Sequence, residues 1–285
     1  MKLCKNKRIL IVGLGLIGGS YAMALSKKGY EIKCITKDQK DIDYALEKGM
    51  ISFGTTELDE KLIASSELII FALYPTMFIK WIEENQHLFA PNTIITDVTG
   101  VKRSVVSRVQ GILREDVEFI AAHPMAGRER SGVEYSDDGV FKGANYIVTP
   151  TEKNTEDAIE LAKSLGEELG FARVSQLSVE EHDEIIAFLS QLTHCIAVTL
   201  MTSNNKDGLE KYTGDSFRDL TRIAKINDVM WSELFLMNRE ALLEQMDSFA
   251  EEFSKLRAYI ADGNREEMQK MMRASTKRRA LFDKK

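Results

Sequence analysis

Cysteine is scarce in this chain. Three residues, Cys4, Cys34 and Cys195, occur among 285, with no CxxC pair and no spacing suited to a metal. An odd, scattered set excludes a disulfide framework and reads as reduced thiols in a cytoplasmic protein with no bound metal. Positive charge is also in deficit, with 38 Lys and Arg against 44 Asp and Glu and a net charge of −6. That argues against a nucleic-acid-binding surface, and any anionic ligand then needs a local basic pocket. No apolar run approaches the ~20 residues of a membrane span, so no membrane partner is expected. The start, "MKLCKNKRILIVGLG", carries glycines and flows into a motif, so it reads as a first strand rather than a signal peptide. The four prolines, Pro75, Pro91, Pro124 and Pro150, all fall at or before residue 150, which leaves the rest of the chain free for long helices.

What is present is a core-sized apolar fraction of 44% in two different patterns. Up to about residue 176, short apolar runs alternate with amphipathic stretches. Strands are expected over 8–12, 31–36, 67–73, 93–98, 118–122, 144–149 and 171–174, and helices over 17–28, 39–48, 76–88, 102–113 and 155–169. Such alternation implies a mainly parallel sheet with helices on its faces. Beyond Leu177 no strand is expected. Ser178 and Glu181 form a capping-box pattern ahead of one long helix, and helical patterns resume after a break at 204–216, over 228–261 and 264–280. The division is therefore 1–176 and 177–285. The second part has many apolar residues for few helices, so a homodimer through the helical part is expected.

"RILIVGLGLIGGS" places Gly13, Gly15 and Gly18 between the first strand and first helix. Gly13 permits the tight turn, Gly15 admits a pyrophosphate, and Gly18 lets helix pack on strand. With Leu16 and Ile17 opening the helix, its free N–H groups face the phosphates. This is the signature of a Rossmann-type, doubly wound dinucleotide-binding domain. At the end of the second strand, "CITKDQ" sets Thr36 and Lys37 where an acid would select NAD; a hydroxyl and a cation also suit a 2′-phosphate, so NAD and NADP both stay open. Ligands of such sheets bind beyond the carboxyl ends of the strands. Those ends carry Tyr74–Pro75, then Asp97, Thr99, Gly100 and Lys102 in "TDVTGVK", then His123 in "AAHPMAGRERSG". His123 is expected to leave the sheet on the cofactor side, where an imidazole exchanges protons near neutral pH.

These motifs, with "HPMAGRERSGVEYS", "FKGANYIVTP", "EEHDEIIAFLSQLTH" and "FRDLTRIA", resemble those of the prephenate dehydrogenases and the closely related arogenate (cyclohexadienyl) dehydrogenases. The resemblance implies oxidation of a ring hydroxyl of a cyclic dicarboxylate by NAD(P)+, with loss of CO2, in tyrosine biosynthesis. It implies His123 as the base, His194 as a second histidine in the cleft, and Arg222, assisted by Arg218, as carboxylate partners. Glu129 would gate or orient the site, and Gln191 would touch substrate. Tyr74, Pro75, Asp97 and Thr99 would line the cofactor. Members often carry serine where Gly100 stands, so the hydroxyl must come from Thr99, from water, or be absent. Asp215 replaces a small residue in "TGDSFRD", an added carboxylate that would favour an amino-bearing substrate. His182, following Glu180 and Glu181, reads as a solvated helix residue. A different hydroxyacid or imine oxidoreductase would call for a lysine on the first helix of the second part, and none lies between Ser178 and Ser203. A non-catalytic dinucleotide sensor would not need His123, His194 and Arg222 together.

Overall fold

Runs such as Ile9–Val12 and Leu68–Phe71 are buried at every position, the mark of strands covered on both faces. The computed structural model describes residues 2–128 and 130–283. Its strands are β1 (Ile9–Val12), β2 (Ile32–Ile35), β3 (Phe53–Thr55), β4 (Leu68–Phe71), β5 (Ile94–Asp97), β6 (Glu118–Phe119), β7 (Ala121–Met125), β8 (Asn145–Thr149) and β9 (Arg173–Gln176). The helices of the same part are α1 (Leu16–Lys27), α2 (Gln39–Glu47), α3 (Glu60–Ser65), α4 (Pro75–Asn85), α5 (Arg103–Ile112) and α6 (Glu156–Leu169). Strands β1 to β6 form one parallel sheet in the order β3-β2-β1-β4-β5-β6. Strand order reverses beside β1, so the crevice that takes a ligand opens at the carboxyl ends of β1 and β4. Two apolar clusters cover the two faces, one around Ile11, Tyr21 and Tyr146, the other around Ile69, Phe71 and Phe78.

The expected strand over 118–122 is instead two strands in two sheets. β6 pairs with β5 only as far as Phe119. β7 then runs antiparallel to β8, with His123 opposite Ile147, in a second sheet ordered β7-β8-β9. His123 therefore sits mid-strand and does not end the run. Pro124 is tolerated because β7 is an edge strand. β3 and α3, at three and six residues, are too short to show a period.

After β9 the described residues are helical or irregular: α7 (Val179–Ile186), a π-helical segment (Ala187–Leu192), α8 (Thr193–Thr202), α9 (Asp215–Thr221), α10 (Asp228–Met237), α11 (Arg239–Ala261) and α12 (Arg265–Arg279). The Ser178–Glu181 capping box is present on both sides. The run Val179–Thr202 is long and apolar enough to cross a bilayer by length and composition, yet Val179, His182, Asp183 and Ile186 are buried in the protein. The expected helix over 228–261 is interrupted at Asn238. Its amide turns inward, donating to the Asp183 carbonyl (2.9 Å) and to Gln191 Oε1 (2.8 Å). The chain forms two compact units, Met1–Asn238 and Arg239–Lys285. In the second, α11 and α12 pack together, and Phe249, Phe253, Ile260 and Met272 are left exposed.

Candidate active site

The glycine loop has the geometry its spacing implies. Gly13 has φ +94°, and a Cβ there would lie 2.6 Å from the Ala72 carbonyl oxygen; Gly18 packs directly on the Gly13 carbonyl. At Gly15 an added Cβ meets nothing within 4 Å, so the space beside it is open. Gly15 also caps α1 without a side chain, and no acid stands in the first turn. The first N–H groups of α1 are thus offered to an outside anion, which fits a dinucleotide pyrophosphate. Gly15→Asp separates this role from folding. Aspartate is a good N-cap, so the thermal midpoint should hold, while its carboxylate competes for the same N–H groups. Calorimetric titration should show dinucleotide affinity reduced by at least about tenfold; an unchanged affinity would move the pyrophosphate elsewhere.

Gly15, Leu16, Ile17 and Gly18 line a cleft of about 1000 Å³ together with Tyr74, Pro75, Thr99, Gly100, His123, Gln191 and His194. That is the upper end of the roughly 300–1,000 Å³ usual for ligand sites. Tyr74 reaches across: its hydroxyl accepts a hydrogen bond from Asn227 Nδ2 (2.9 Å), and the Thr76 N–H donates to Glu233. Thr36 and Lys37 are not in this lining. The Thr36 hydroxyl is buried beneath the glycine loop and accepts from the Leu14 N–H (3.3 Å). The Lys37 side chain is 90% exposed, 3.9 Å from Asp38. Around the same strand end Asp41 is pushed above the usual carboxylate range, by burial first and then by its neighbours Asp38 and Glu134.

Asp97, expected at the cofactor, lies under the cleft, fully buried. Its Oδ2 meets Lys102 Nζ at 2.6 Å and accepts from the Thr99 hydroxyl and N–H; its Oδ1 accepts from the Ala122 N–H (3.1 Å). Lys102 Nζ donates also to the Ala122 carbonyl (2.6 Å). One buried ion pair thus holds both peptide groups of Ala122, the residue before His123. Burial pulls the Lys102 pKa down, with Asp97 opposing. The Thr99 hydroxyl is committed to Asp97 while also lying 3.0 Å from the Val101 carbonyl.

His123 joins a chain that its neighbourhood in sequence does not announce. Its Nδ1 is 2.8 Å from His182 Nε2, and His182 Nδ1 is 2.7 Å from Asp183 Oδ1. Asp183 accepts the Lys102 N–H on Oδ1 and the Arg103 N–H on Oδ2, each at 2.8 Å. His182 and Asp183 are 0% exposed, so His182 is not a solvated residue. The signal was in the helix phase: Val179, His182, Asp183 and Ile186 follow i, i+3, i+4, i+7, the spacing of a buried stripe. Burial, then His182 and Lys102, hold the His123 pKa well below its ordinary 6.5. Burial is also the main cause lowering His182, with Asp183 opposing. Both rings are therefore neutral near pH 7. The free edge of His123 faces the cleft, where a Cβ on Gly100 would lie 3.8 Å from Nε2.

His194 stacks on Trp231 with ring centroids 3.7 Å apart and sets Nδ1 2.9 Å from the Ser190 carbonyl. Gln191 is buried; its Nε2 donates to the Leu234 carbonyl (3.0 Å) and its Oε1 accepts from Asn238, so both ends of the amide brace the π-helical segment. π-helical turns recur at functional sites, and this one carries Gln191 into the cleft wall. Arg218 is exposed and paired with Asp215 (2.8 Å); neither lines the cleft, nor does Arg222, which is exposed on a 3-10 turn. Among the described residues the cationic lining comes from Arg128, Arg130 and Lys225, which the sequence reading did not single out. Glu129 lies outside the described residues.

Residues 21–175 match the family model "Prephenate dehydrogenase, nucleotide-binding domain", and residues 178–274 match "Prephenate dehydrogenase, dimerization domain". Among curated proteins, the chain is 31% identical over 268 residues to a prephenate dehydrogenase of Bacillus subtilis (strain 168), covering 91% of this chain and 72% of that one. It is 28% identical over 262 residues to a cyclohexadienyl dehydrogenase of Zymomonas mobilis, covering 90% and 89%. Among solved structures, prephenate dehydrogenase from A. aeolicus in complex with hydroxyphenyl propionate and NAD+ superposes with a TM-score of 0.90 at 30% identity, over 99% of this chain and 100% of that one.

Proposed function

Because the chain belongs to the prephenate dehydrogenase family, we propose that it oxidises prephenate to 4-hydroxyphenylpyruvate and CO2, in tyrosine biosynthesis, with a nicotinamide dinucleotide as oxidant. The observation that carries this reading is that His123 Nε2 and the open glycine loop face one cleft. A dinucleotide held at Gly13, Gly15 and Gly18 would supply the acceptor for hydride from the ring carbon that bears the hydroxyl. His123 Nε2 accepts the hydroxyl proton, which a neutral imidazole alone can do. The ketone so formed is vinylogous to the departing carboxylate, so the electron pair of the breaking bond to CO2 flows through the ring to the ketone oxygen, and aromaticity drives the loss. Beyond that proton transfer, the protein's work is orientation and charge.

NAD is the proposed acceptor. The relative from A. aeolicus was solved with NAD+, which supports this choice, while the end of β2 carries mixed charge, with Asp38, Asp41 and Glu134 set among Lys37 and Lys40. Arg128 is paired with Asp137, but Arg130 and Lys225, against the one lining carboxylate among the described residues, Asp228, suit a dianion such as prephenate more than an amino-bearing analogue. Lys225→Met should raise the KM for prephenate roughly 10-fold or more with kcat little changed, the mark of lost ground-state binding; an unchanged KM would remove Lys225 from substrate binding. A second copy is the proposed partner of the exposed apolar face of α11 and α12, in a homodimer made through the helical part, in the cytoplasm. Reduction of NAD and of NADP, each with prephenate and with arogenate, tests the reading. Turnover fastest with NAD and prephenate supports it, and none with any pair overturns it.

A further inference from the structure

Three buried polar groups lie in the wall of the cleft or beneath it: the Asp97–Lys102 pair, the Gln191–Asn238 amides, and His182–Asp183. The first two brace backbone. His182–Asp183 instead ends on the ring of the reacting base. We propose that His182 and Asp183 are positioning residues that fix His123 as the Nδ1–H tautomer and receive the charge when His123 takes the substrate proton. The proposal rests on the reading of His123 as the base.

The direction of the chain follows from donor arithmetic. Asp183, as a carboxylate, only accepts, and its two oxygens already accept from Lys102 and Arg103 N–H. The proton between Asp183 Oδ1 and His182 therefore sits on His182 Nδ1. A neutral His182 then has a lone pair on Nε2, which accepts from His123 Nδ1–H. That leaves the lone pair of His123 on Nε2, the atom beside Gly100 in the cleft. No other tautomer of the two neutral rings satisfies every contact. When Nε2 accepts the hydroxyl proton, the Nδ1 proton passes to His182 Nε2. His123 is again neutral, and the positive charge rests on His182 against Asp183. Loss of CO2 leaves the ring oxygen as a phenolate, and the proton returns to it by the same path before product leaves. The charged groups facing His182 are Asp183 on its own helix and Asp97 and Lys102 across from it, with His123 from β7. The anions favour its cationic form and Lys102 opposes it.

With only four histidines in the chain, 15N NMR of the wild-type enzyme near pH 7 reads the tautomers directly. The expected result is His123 and His182 both protonated on Nδ1 and bare on Nε2; His123 carrying its proton on Nε2 would overturn the proposal. In kinetics, His182→Gln keeps an acceptor toward His123 and a donor toward Asp183, and His182→Leu keeps neither. The leucine variant should lose on the order of 10–100-fold in kcat with KM nearly constant, and the glutamine variant less. Asp183→Asn removes the charge that favours a protonated pair, so the acid limb of kcat/KM should move to lower pH as the plateau falls. A structural role alone would not move that limb. Equal kcat for wild type and His182→Leu, or an unmoved limb in a folded Asp183→Asn, overturns the relay. If His123→Asn is slow while His182→Leu is not, the base survives and only the relay is lost.

Discussion

His123→Asn is expected to bind prephenate and NAD and to turn over about 10²–10⁴-fold more slowly, the usual contribution of positioned proton transfer. Asparagine is near in size and polarity, so the cleft and the β7–β8 pairing should survive. Affinity for NAD, measured by titration, should stay within about threefold, because the proposed pyrophosphate site is the glycine loop and not His123. The wild-type pH profile gives an independent sign. The pKa of His123 is depressed from 6.5, so its basic form is present above that value and is lost only as pH falls through the lowered one. The acid limb of kcat/KM should therefore lie below pH 6.5 and be absent from the neutral range. An asparagine variant with near-normal kcat would remove His123 as the base.

Lys102→Met is expected to cost about 3–5 kcal/mol of folding stability, since it strands a buried carboxylate at Asp97. For a chain of this size that is a fall of roughly 6–20 °C in thermal midpoint. The loss should exceed that of any single exposed pair, such as Lys80–Glu84, which contributes at most about 1 kcal/mol. Activity should fall as well, because Lys102 Nζ holds the Ala122 carbonyl next to His123, and the Lys102 N–H holds Asp183. Calorimetric or denaturant unfolding checks the first expectation. A variant as stable as wild type would show that the Asp97 site takes up water or a proton at little cost, and the ion pair would then not be what fixes β7.

Much of this is written plainly in the chain. The apolar runs of β1, β2, β4 and β5, the glycines at 13, 15 and 18, and the Ser178–Glu181 capping box depend on neighbours within a few residues, and such signals survive in a single sequence. What escaped depends on distant partners. The step from β6 to β7 between Phe119 and Ala121 is set by which strand each meets, Ile95 or Thr149, and no local period records it. Asp97 reads in sequence as a cofactor residue at a strand end, and only when the fold closes over it and Lys102 do the two become a buried ion pair. His182 and Asp183 stand after two glutamates and resemble a solvated face, although their phase with Val179 and Ile186 placed them inside. Arg218 shows the reverse error: its residue type suited the expected ligand, but its guanidinium is spent on Asp215 in the same helix.

The central claim is that the His123 imidazole and the glycine loop serve one reaction across a shared cleft. A crystal structure with NAD and a phenolic product analogue tests it most directly. The account predicts the pyrophosphate against Gly15 at the start of α1 and the phenol oxygen about 2.6–3.2 Å from His123 Nε2. An analogue bound with its hydroxyl away from that nitrogen, or a dinucleotide whose nicotinamide points out of the cleft, would contradict it.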